Sequence, residues 1–214
     1  MPVTELHRQV ATIVLRAVSR YGFALAGGNA LIAHGLIDRY TQDVDLFTDR
    51  EGGVEAAAGA AEAALHAAGF RAERRDKTAG LSDVWDGMGE GLAEWILTAP
   101  DGQQTTLQMA CFSRGRQPVT MSVGPVLDLE DVVASKVAAL ATRVEPRDYI
   151  DTASALEHYS AGQLISLARR HDPGLDDRDF ADAGRRLDQL GDRRFAALGL
   201  SPRDVAVLRE RFAD

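Results

Sequence analysis

Two neighbouring stretches decide the fold: LAGGNAL at residues 25–31 and RYTQDVDLF at residues 39–47. The first predicts a short apolar strand, a glycine turn and the start of a helix, and the second predicts a strand that carries two acidic residues. Because side chains two positions apart lie on the same face of a strand, Asp43 and Asp45 are expected to converge, while the valine between them faces the core.

A convergent carboxylate pair suits a divalent cation. Mg²⁺ takes oxygen ligands, commonly one or two carboxylates completed by water and phosphate oxygens. Gly27 and Gly28 have no side chains and lie at a predicted helix N-terminus, where backbone N–H groups can receive phosphate oxygens. Taken singly, a glycine pair is usually a turn and an Asp-x-Asp pair often lies in a solvated loop. Together they predict a site for Mg²⁺, or Mn²⁺, beside a triphosphate.

The rest of the chain predicts a mixed sheet followed by a helical part. Apolar spacing predicts helices over 4–19 and 51–68, and alternation predicts strands over 23–26, 41–48, 70–76, 94–99, 105–112 and 118–123. A Pro-Asp-Gly turn predicts antiparallel pairing of 94–99 with 105–112. After Gly124-Pro125 only helices are expected, with breaks near 146, 161, 173, 191 and 201. The expected domains are therefore 1–124 and 125–214, with the second completing an active-site cleft.

A lysine and an acidic pair mark the helical part. Lys136 falls inside the apolar stripe of a predicted helix, so its ammonium either extends to solvent at the core's edge or lines a cleft. A second helix is expected to begin at Pro146, with Asp148 and Asp151 on one face. For Asp151 we expect a surface ion pair with Arg147, four positions before it.

These motifs, in this order, resemble a known family. Gly-Gly, a helix and Arg-x-Thr-x-Asp-x-Asp are similar to the nucleotidyltransferase superfamily, and specifically to the AbiEii/AbiGii-like toxins. A helical lysine followed by Arg-Asp-x-x-Asp is part of the same pattern, which covers roughly residues 20–155 here. The resemblance implies an α+β fold: a nucleotidyltransferase-like mixed β-sheet flanked by helices, followed by a C-terminal helical part.

The resemblance also implies roles for individual residues. Asp43 and Asp45 would hold the metal, Gly27-Gly28 the phosphates, and Lys136 would compensate developing charge. Asp148 would either position Lys136 or act as the base that takes a proton from the acceptor hydroxyl.

Two positions of the motif region leave alternatives open. Arg39 could neutralise the triphosphate and Thr41 could hydrogen-bond to it; the alternatives are an ion pair of Arg39 with Asp38 and a strand-edge hydroxyl for Thr41. The superfamily often has a third metal carboxylate on a later strand, where this chain offers only Gln108. Either Asp148 supplies the missing charge, which we favour, or metal binding is weakened.

The implied reaction is transfer of a nucleoside monophosphate from an NTP to a hydroxyl, with release of pyrophosphate. The family makes an RNA acceptor, such as the 3′ end of tRNA, and a cognate antitoxin the leading expectation. The alternatives are an antibiotic-modifying nucleotidyltransferase and a nucleotide-binding homologue without turnover.

Composition and net charge limit the partners and the cellular compartment that we expect for the protein. The 24 basic and 32 acidic residues give a net charge of −8, so a polyanionic partner needs a local basic patch. The clearest basic run is Arg71, Arg74, Arg75 and Lys77, which is either a solvated strand edge or a guide for a tRNA-like acceptor. A single cysteine, Cys111, suggests a buried thiol in a reducing compartment, so we expect a cytoplasmic protein with no signal peptide and no membrane partner.

Overall fold

The computed structural model describes residues 3–75, 91–143 and 145–212. The chain forms two compact units. The first, here called the sheet unit, consists of the described parts of Pro2–His34 and Thr41–Asp128. The second, the helical unit, consists of Gly35–Tyr40 and the described parts of Leu129–Asp214. A short segment between two sheet-unit elements therefore belongs to the helical unit.

The sheet unit contains three helices and a seven-stranded sheet within the described ranges. The helices are α1 (Glu5–Ala17), α2 (Gly27–Ala33) and α3 (Gly53–Ala67), and a 3-10 turn covers Ser19–Tyr21. The strands are β1 (Ala24–Leu25), β2 (Asp43–Thr48), β3 (Arg71–Arg75), β4 (Leu92–Thr98), β5 (Gln104–Cys111), β6 (Val119–Met121) and β7 (Gly124–Val126).

The strands run in the order β3-β4-β5-β2-β1-β7-β6. The pairs β2–β5 and β1–β7 are parallel, and the remaining neighbours are antiparallel, so the sheet is mixed. The expected antiparallel pairing of β4 with β5 is confirmed.

The two faces of the sheet differ in chemistry because side chains alternate along each strand. One face carries fully buried apolar side chains, among them Val44, Leu107 and Trp95. Helix α3 covers this face: the indole N–H of Trp95 donates to Glu62 on α3 (2.7 Å). The opposite face carries Asp43 and Asp45, so the core lies behind the acidic pair.

Local signals explain the helix bounds. Thr4 accepts a hydrogen bond from the His7 backbone N–H (3.2 Å) and caps α1. The alanine-rich α3 ends just before Gly69, whose positive φ of 84° suits a residue after a helix. The predicted helices over 4–19 and 51–68 are thus confirmed.

One strand differs from expectation. We expected only helices after Gly124-Pro125, yet β7 runs through this dipeptide and pairs in parallel with β1 at Val126. A strand of three residues with a proline at its centre gives almost no alternation signal, and proline lacks a donor for the ladder.

The helical unit begins at α4 (Leu129–Thr142) and continues with α5 (Pro146–Ala155), α6 (Ala161–His171), α7 (Asp177–Leu187), α8 (Asp192–Ala196) and α9 (Pro202–Glu210). The predicted breaks between them are confirmed. Its apolar core includes Leu140, Tyr149, Leu187 and Phe195, and the Tyr149 hydroxyl donates to the Ala183 carbonyl (2.7 Å). None of the helices in the described ranges combines the length and the apolar composition of a membrane span.

Candidate active site

Strand β2 presents the acidic pair in alternation with core residues. Asp43 and Asp45 are half-buried, whereas Val44 and Leu46 between and after them are fully buried. The two carboxylates therefore lie on one face of the sheet, as their spacing predicted. Carboxylate oxygens are ligands of the kind that Mg²⁺ and Mn²⁺ take.

Gly27 fits closely against this pair. Its φ is +59°, a left-handed conformation that glycine adopts without strain. A Cβ at this position would lie 1.8 Å from the Asp45 Oδ2 atom. The neighbouring Ala26 N–H donates to the Asp45 carbonyl (2.8 Å), which fixes the turn against β2. The first glycine of the pair is thus required by the backbone and by the position of Asp45.

A buried network of polar side chains joins α1 and α2 to the start of β2, next to the acidic pair. The Asn29 side-chain amide donates to the Asp43 carbonyl (2.7 Å) and lies 3.3 Å from His7 Nδ1. Thr41 donates to Asn29 Oδ1 (2.9 Å), and Thr105 donates to the Gln42 carbonyl (3.2 Å). The network places Thr41 inside the protein, 4% exposed, rather than at a surface.

His7 lies inside this network. Its Nδ1 lies 3.3 Å from the Asn29 amide nitrogen, and its Nε2 lies 3.0 Å from the Thr105 hydroxyl, so both ring nitrogens have polar partners. Burial lowers the pKa of His7 and outweighs the Asp43 charge, which raises it. The imidazole is therefore neutral near pH 7. This role of His7 was not predictable from the sequence, since a lone histidine on a helix has no spacing motif.

Gln108 lies on β5, the strand next to the acidic strand β2. It is directly opposite Asp45 in the parallel β2–β5 pair. Its Nε2 donates to Glu94 on β4 (3.0 Å), a residue that the sequence analysis did not single out. Among the described residues, no group of three or more His, Cys, Asp or Glu side chains is arranged to hold a metal. A cation at the Asp43–Asp45 pair would therefore draw further ligands from water, substrate or neutral oxygens.

In the helical unit, Lys136 lies between two buried carboxylates. Its Nζ is 3.2 Å from Asp151 Oδ2 and 3.7 Å from Asp148 Oδ1. The lysine side chain is 11% exposed and both carboxylates are fully buried, so this is an internal charge cluster. The Lys136 ammonium therefore has two acidic partners within the helical unit.

Each carboxylate also binds an arginine through both oxygens. Asp148 accepts from Arg143 Nε (2.7 Å) and Nη2 (3.0 Å). Asp151 accepts from Arg39 Nε and Nη2, both at 2.7 Å. Bidentate pairs of this kind are strong and directional. The cluster thus contains three cationic side chains and two anionic ones: Lys136, Arg39 and Arg143 with Asp148 and Asp151.

The surface ion pair suggested for Asp151 is wrong. Asp151 is 1% exposed, and its partners are Lys136 and Arg39, which is 112 positions away in the sequence. Burial alone would raise the pKa of the Asp151 carboxyl, but the charges and hydrogen bonds of Lys136 and Arg39 hold it below its usual value. For Arg39, the structure shows a bidentate contact with Asp151, a partner that the local sequence did not suggest.

The basic run lies on the edge strand β3. Arg71 pairs with Glu73, Arg74 lies over the Trp95 ring (5.5 Å), and Arg75 pairs with Glu94 (2.8 Å). Lys77 lies outside the described residues. Most of β3 is exposed, which is typical of a solvated strand edge.

Cys111 is half-buried rather than buried, and its thiol lies 3.8 Å from the Arg50 carbonyl. Burial, followed by nearby acidic residues, raises the pKa of this thiol. The expectation of a buried thiol is therefore wrong.

Comparisons with known proteins agree with the geometry. The family model of the nucleotidyl transferase AbiEii toxin, type IV TA system, matches residues 13–204. JHP933 from Helicobacter pylori has a similar fold, with a TM-score of 0.58 at 14% identity, covering 98% of this chain and 93% of that one. MenT4, a nucleotidyltransferase toxin from Mycobacterium tuberculosis H37Rv, gives a TM-score of 0.59 at 13% identity, covering 97% and 82%.

No curated protein sequence matches the chain significantly. The family match spans most of the chain and includes both the glycine and acidic motifs of the sheet unit and the lysine helix. The chain therefore belongs to the AbiEii family of nucleotidyl transferase toxins, and it is a nucleotidyltransferase.

Proposed function

We propose that this nucleotidyltransferase, with Mg²⁺ or Mn²⁺, transfers a nucleoside monophosphate from an NTP to a hydroxyl of an RNA acceptor such as tRNA. We further propose that it acts as the toxin of a toxin–antitoxin pair, with a cognate antitoxin as its protein partner. The observation that carries the catalytic part is the position of Asp43 and Asp45 on one face of β2.

The donor set fits a divalent cation. Two carboxylates from one strand leave most of the coordination shell to water and substrate phosphate oxygens, which is the usual arrangement for Mg²⁺ with a nucleotide. A bound cation would supply charge neutralisation and alignment for phosphoryl chemistry. Asp43 and Asp45 are proposed as its protein ligands.

The position of Gly27 in the glycine pair is explained without a bound phosphate. Gly27 is explained by its contact with Asp45 and its positive φ. Phosphate binding by the Gly27 and Gly28 backbone remains a prediction. Thr41 donates its proton to Asn29, so we assign it to holding the fold in place rather than to the triphosphate.

Lys136 is proposed to compensate charge on the triphosphate, and Asp151 and Asp148 to position its ammonium. Support comes from the distances of 3.2 and 3.7 Å and from the low pKa of Asp151, which keeps that partner ionised. Asp148 gives both oxygens to Arg143, so we favour positioning over proton abstraction for it. Arg39 is proposed to hold Asp151, and no role is assigned to Arg147.

The proposed reaction is an in-line displacement. The acceptor hydroxyl oxygen forms a bond to the α-phosphorus, the bond from that phosphorus to the bridging β-phosphate oxygen breaks, and pyrophosphate leaves with the electron pair. The hydroxyl proton passes to solvent. Alignment and charge compensation, rather than covalent participation of a side chain, supply the rate enhancement.

The test uses each α-labelled NTP with total cellular RNA and Mg²⁺, followed by gel analysis. Wild-type protein should label RNA, and Asp43→Ala should not, while its far-UV circular dichroism stays unchanged. Asp101→Asn, which changes an exposed acid in the β4–β5 turn, is the matched control and should label like wild type. Labelling by Asp43→Ala would refute the assignment.

The biological part is tested by expression in cells. We expect growth arrest with wild-type protein, relief by a neighbouring gene, and no arrest with Asp43→Ala. Labelling of a small aminoglycoside-like or lincosamide-like molecule, with drug resistance in place of arrest, would contradict the toxin assignment.

A further inference from the structure

A row of four polar side chains crosses the acidic face of the sheet. Asp45 on β2 is opposite Gln108 on β5, Gln108 is opposite Glu94 on β4, and Glu94 is opposite Arg75 on β3. Directly opposed residues in neighbouring strands point to the same face. The row therefore begins at the acidic pair and ends at the edge of the sheet.

Glu94 is an unusual residue for this position. Glutamate is depleted in strands, and Glu94 is 7% exposed. A buried carboxylate is costly unless it is paired and hydrogen-bonded. Both oxygens have donors: Arg75 Nη1 donates to Oε1 (2.8 Å), and Gln108 Nε2 donates to Oε2 (3.0 Å). The Glu94 carboxylate is thus fixed in position by Arg75 and accepts a hydrogen bond from the Gln108 amide.

This contact decides how the amide of Gln108 is turned. An ionised carboxylate only accepts hydrogen bonds, so the amide nitrogen must face Glu94. The amide oxygen is left as an acceptor on the side away from the Glu94 carboxylate. Because Gln108 stands between Glu94 and Asp45 in the row, that side is the one nearer β2. Side-chain amide oxygens are ligands of hard divalent cations.

We propose that Gln108 gives its amide oxygen to the cation held by Asp43 and Asp45, and that Glu94 is the positioning residue that fixes this orientation. The inference rests on the proposed function, because it needs a cation at the acidic pair. It replaces our expectation that Asp148 makes up for the missing strand carboxylate, since Asp148 gives both its oxygens to Arg143.

Glu94 acts on the metal only through Gln108. Its Cα is two strands from Asp45, about 10 Å at the usual strand spacing, and it already accepts two donors. Removing Glu94 should let the amide turn over and present nitrogen, which cannot bind a cation. Loss of such an orienting partner typically weakens metal affinity about 10–100-fold.

The experiment is an Mn²⁺ titration followed by electron paramagnetic resonance, which needs no turnover. We expect Gln108→Ala and Glu94→Ala each to weaken Mn²⁺ binding about tenfold or more. Glu94→Ala should have no further effect when Gln108 is already alanine. Glu73→Gln, an exposed acid on the same face of β3 paired with Arg71, is the matched control and should bind like wild type.

A reciprocal swap tests the orientation directly and avoids an unpaired buried group. In Glu94→Gln with Gln108→Glu, the new amide can donate to a carboxylate placed beside Asp45, so Mn²⁺ should bind more tightly than in wild type. This double variant also keeps the test open if Glu94→Ala fails to fold, as judged by circular dichroism.

The outcomes separate the two proposals. If Asp45→Asn abolishes Mn²⁺ binding while Gln108→Ala and Glu94→Ala leave it unchanged, the inference is overturned and the proposed function stands. An effect of Glu94→Ala that persists in the Gln108→Ala background also overturns it. If Asp45→Asn binds Mn²⁺ like wild type, the metal site itself is wrong and both proposals fall.

Discussion

Replacing Gly27 by alanine tests the contact between the glycine turn and the acidic pair. The new Cβ would lie 1.8 Å from Asp45 Oδ2, far inside any permitted contact, and the residue has a φ of +59°. Holding alanine in a left-handed conformation costs about 1–2 kcal/mol. Moving the Asp45 carboxylate away from its rotamer adds about 0.5–1.5 kcal/mol.

The expected total loss of unfolding free energy is about 1.5–3.5 kcal/mol, measured by chemical denaturation. A displaced catalytic group can cost about 100-fold in rate, so RNA labelling should fall by roughly that factor. Gly35→Ala is the control, because Gly35 has a φ of +75° but no atom within 4 Å of a built Cβ. Gly35→Ala should lose only about 1–2 kcal/mol of unfolding free energy and should label RNA at the wild-type rate. If Gly27→Ala labels RNA as well as Gly35→Ala does, Asp45 is not positioned for catalysis as argued.

Three further predictions concern the buried polar groups. Asp151→Asn should lower the unfolding free energy, measured by denaturation, by about 3–5 kcal/mol, because it breaks a buried ion cluster. The control Asp177→Asn, at an exposed ion pair, should lower it by about 1 kcal/mol or less. Because the folded-state pKa of His7 lies below 6.5, unfolding free energy should fall as the pH drops below about 6.5, by up to about 1.4 kcal/mol per pH unit. Denaturation from pH 7.5 to 5 should show a smaller loss in His7→Gln; an equal loss would contradict the network. Tyr149→Phe should lose about 1 kcal/mol, measured likewise, as its bond to Ala183 is removed.

Periodicity and turn residues were enough to predict most of the elements. Thr4 and the apolar spacing after it predicted α1, and the alternation around Val44 predicted both β2 and the shared face of its acids. Strand β7 was missed because three residues around a proline carry no pattern. These signals come from residues that are close together in the sequence, so they can be recognised without knowing the three-dimensional structure.

The partners of the functional side chains were not predictable in the same way. The pairing of Arg39 with Asp151 joins residues 112 positions apart, whereas helix spacing offered only Arg147, the nearer partner. The role of Glu94 depends on the register of three strands, which no local pattern fixes. The Arg-x-Thr-x-Asp-x-Asp motif drew attention to Arg39 and Thr41, but contacts, not spacing, reveal what each one touches.

The position of the radiolabel tests the central claim most directly. Nucleotidyl transfer organised by Asp43 and Asp45 moves the α-phosphorus to the acceptor and releases the β- and γ-phosphates together. RNA should therefore be labelled from α-labelled NTP and not from γ-labelled NTP, and Asp43→Asn and Asp45→Asn should each remove the label. Incorporation of the γ-label, or α-labelling that survives both substitutions, would contradict the account.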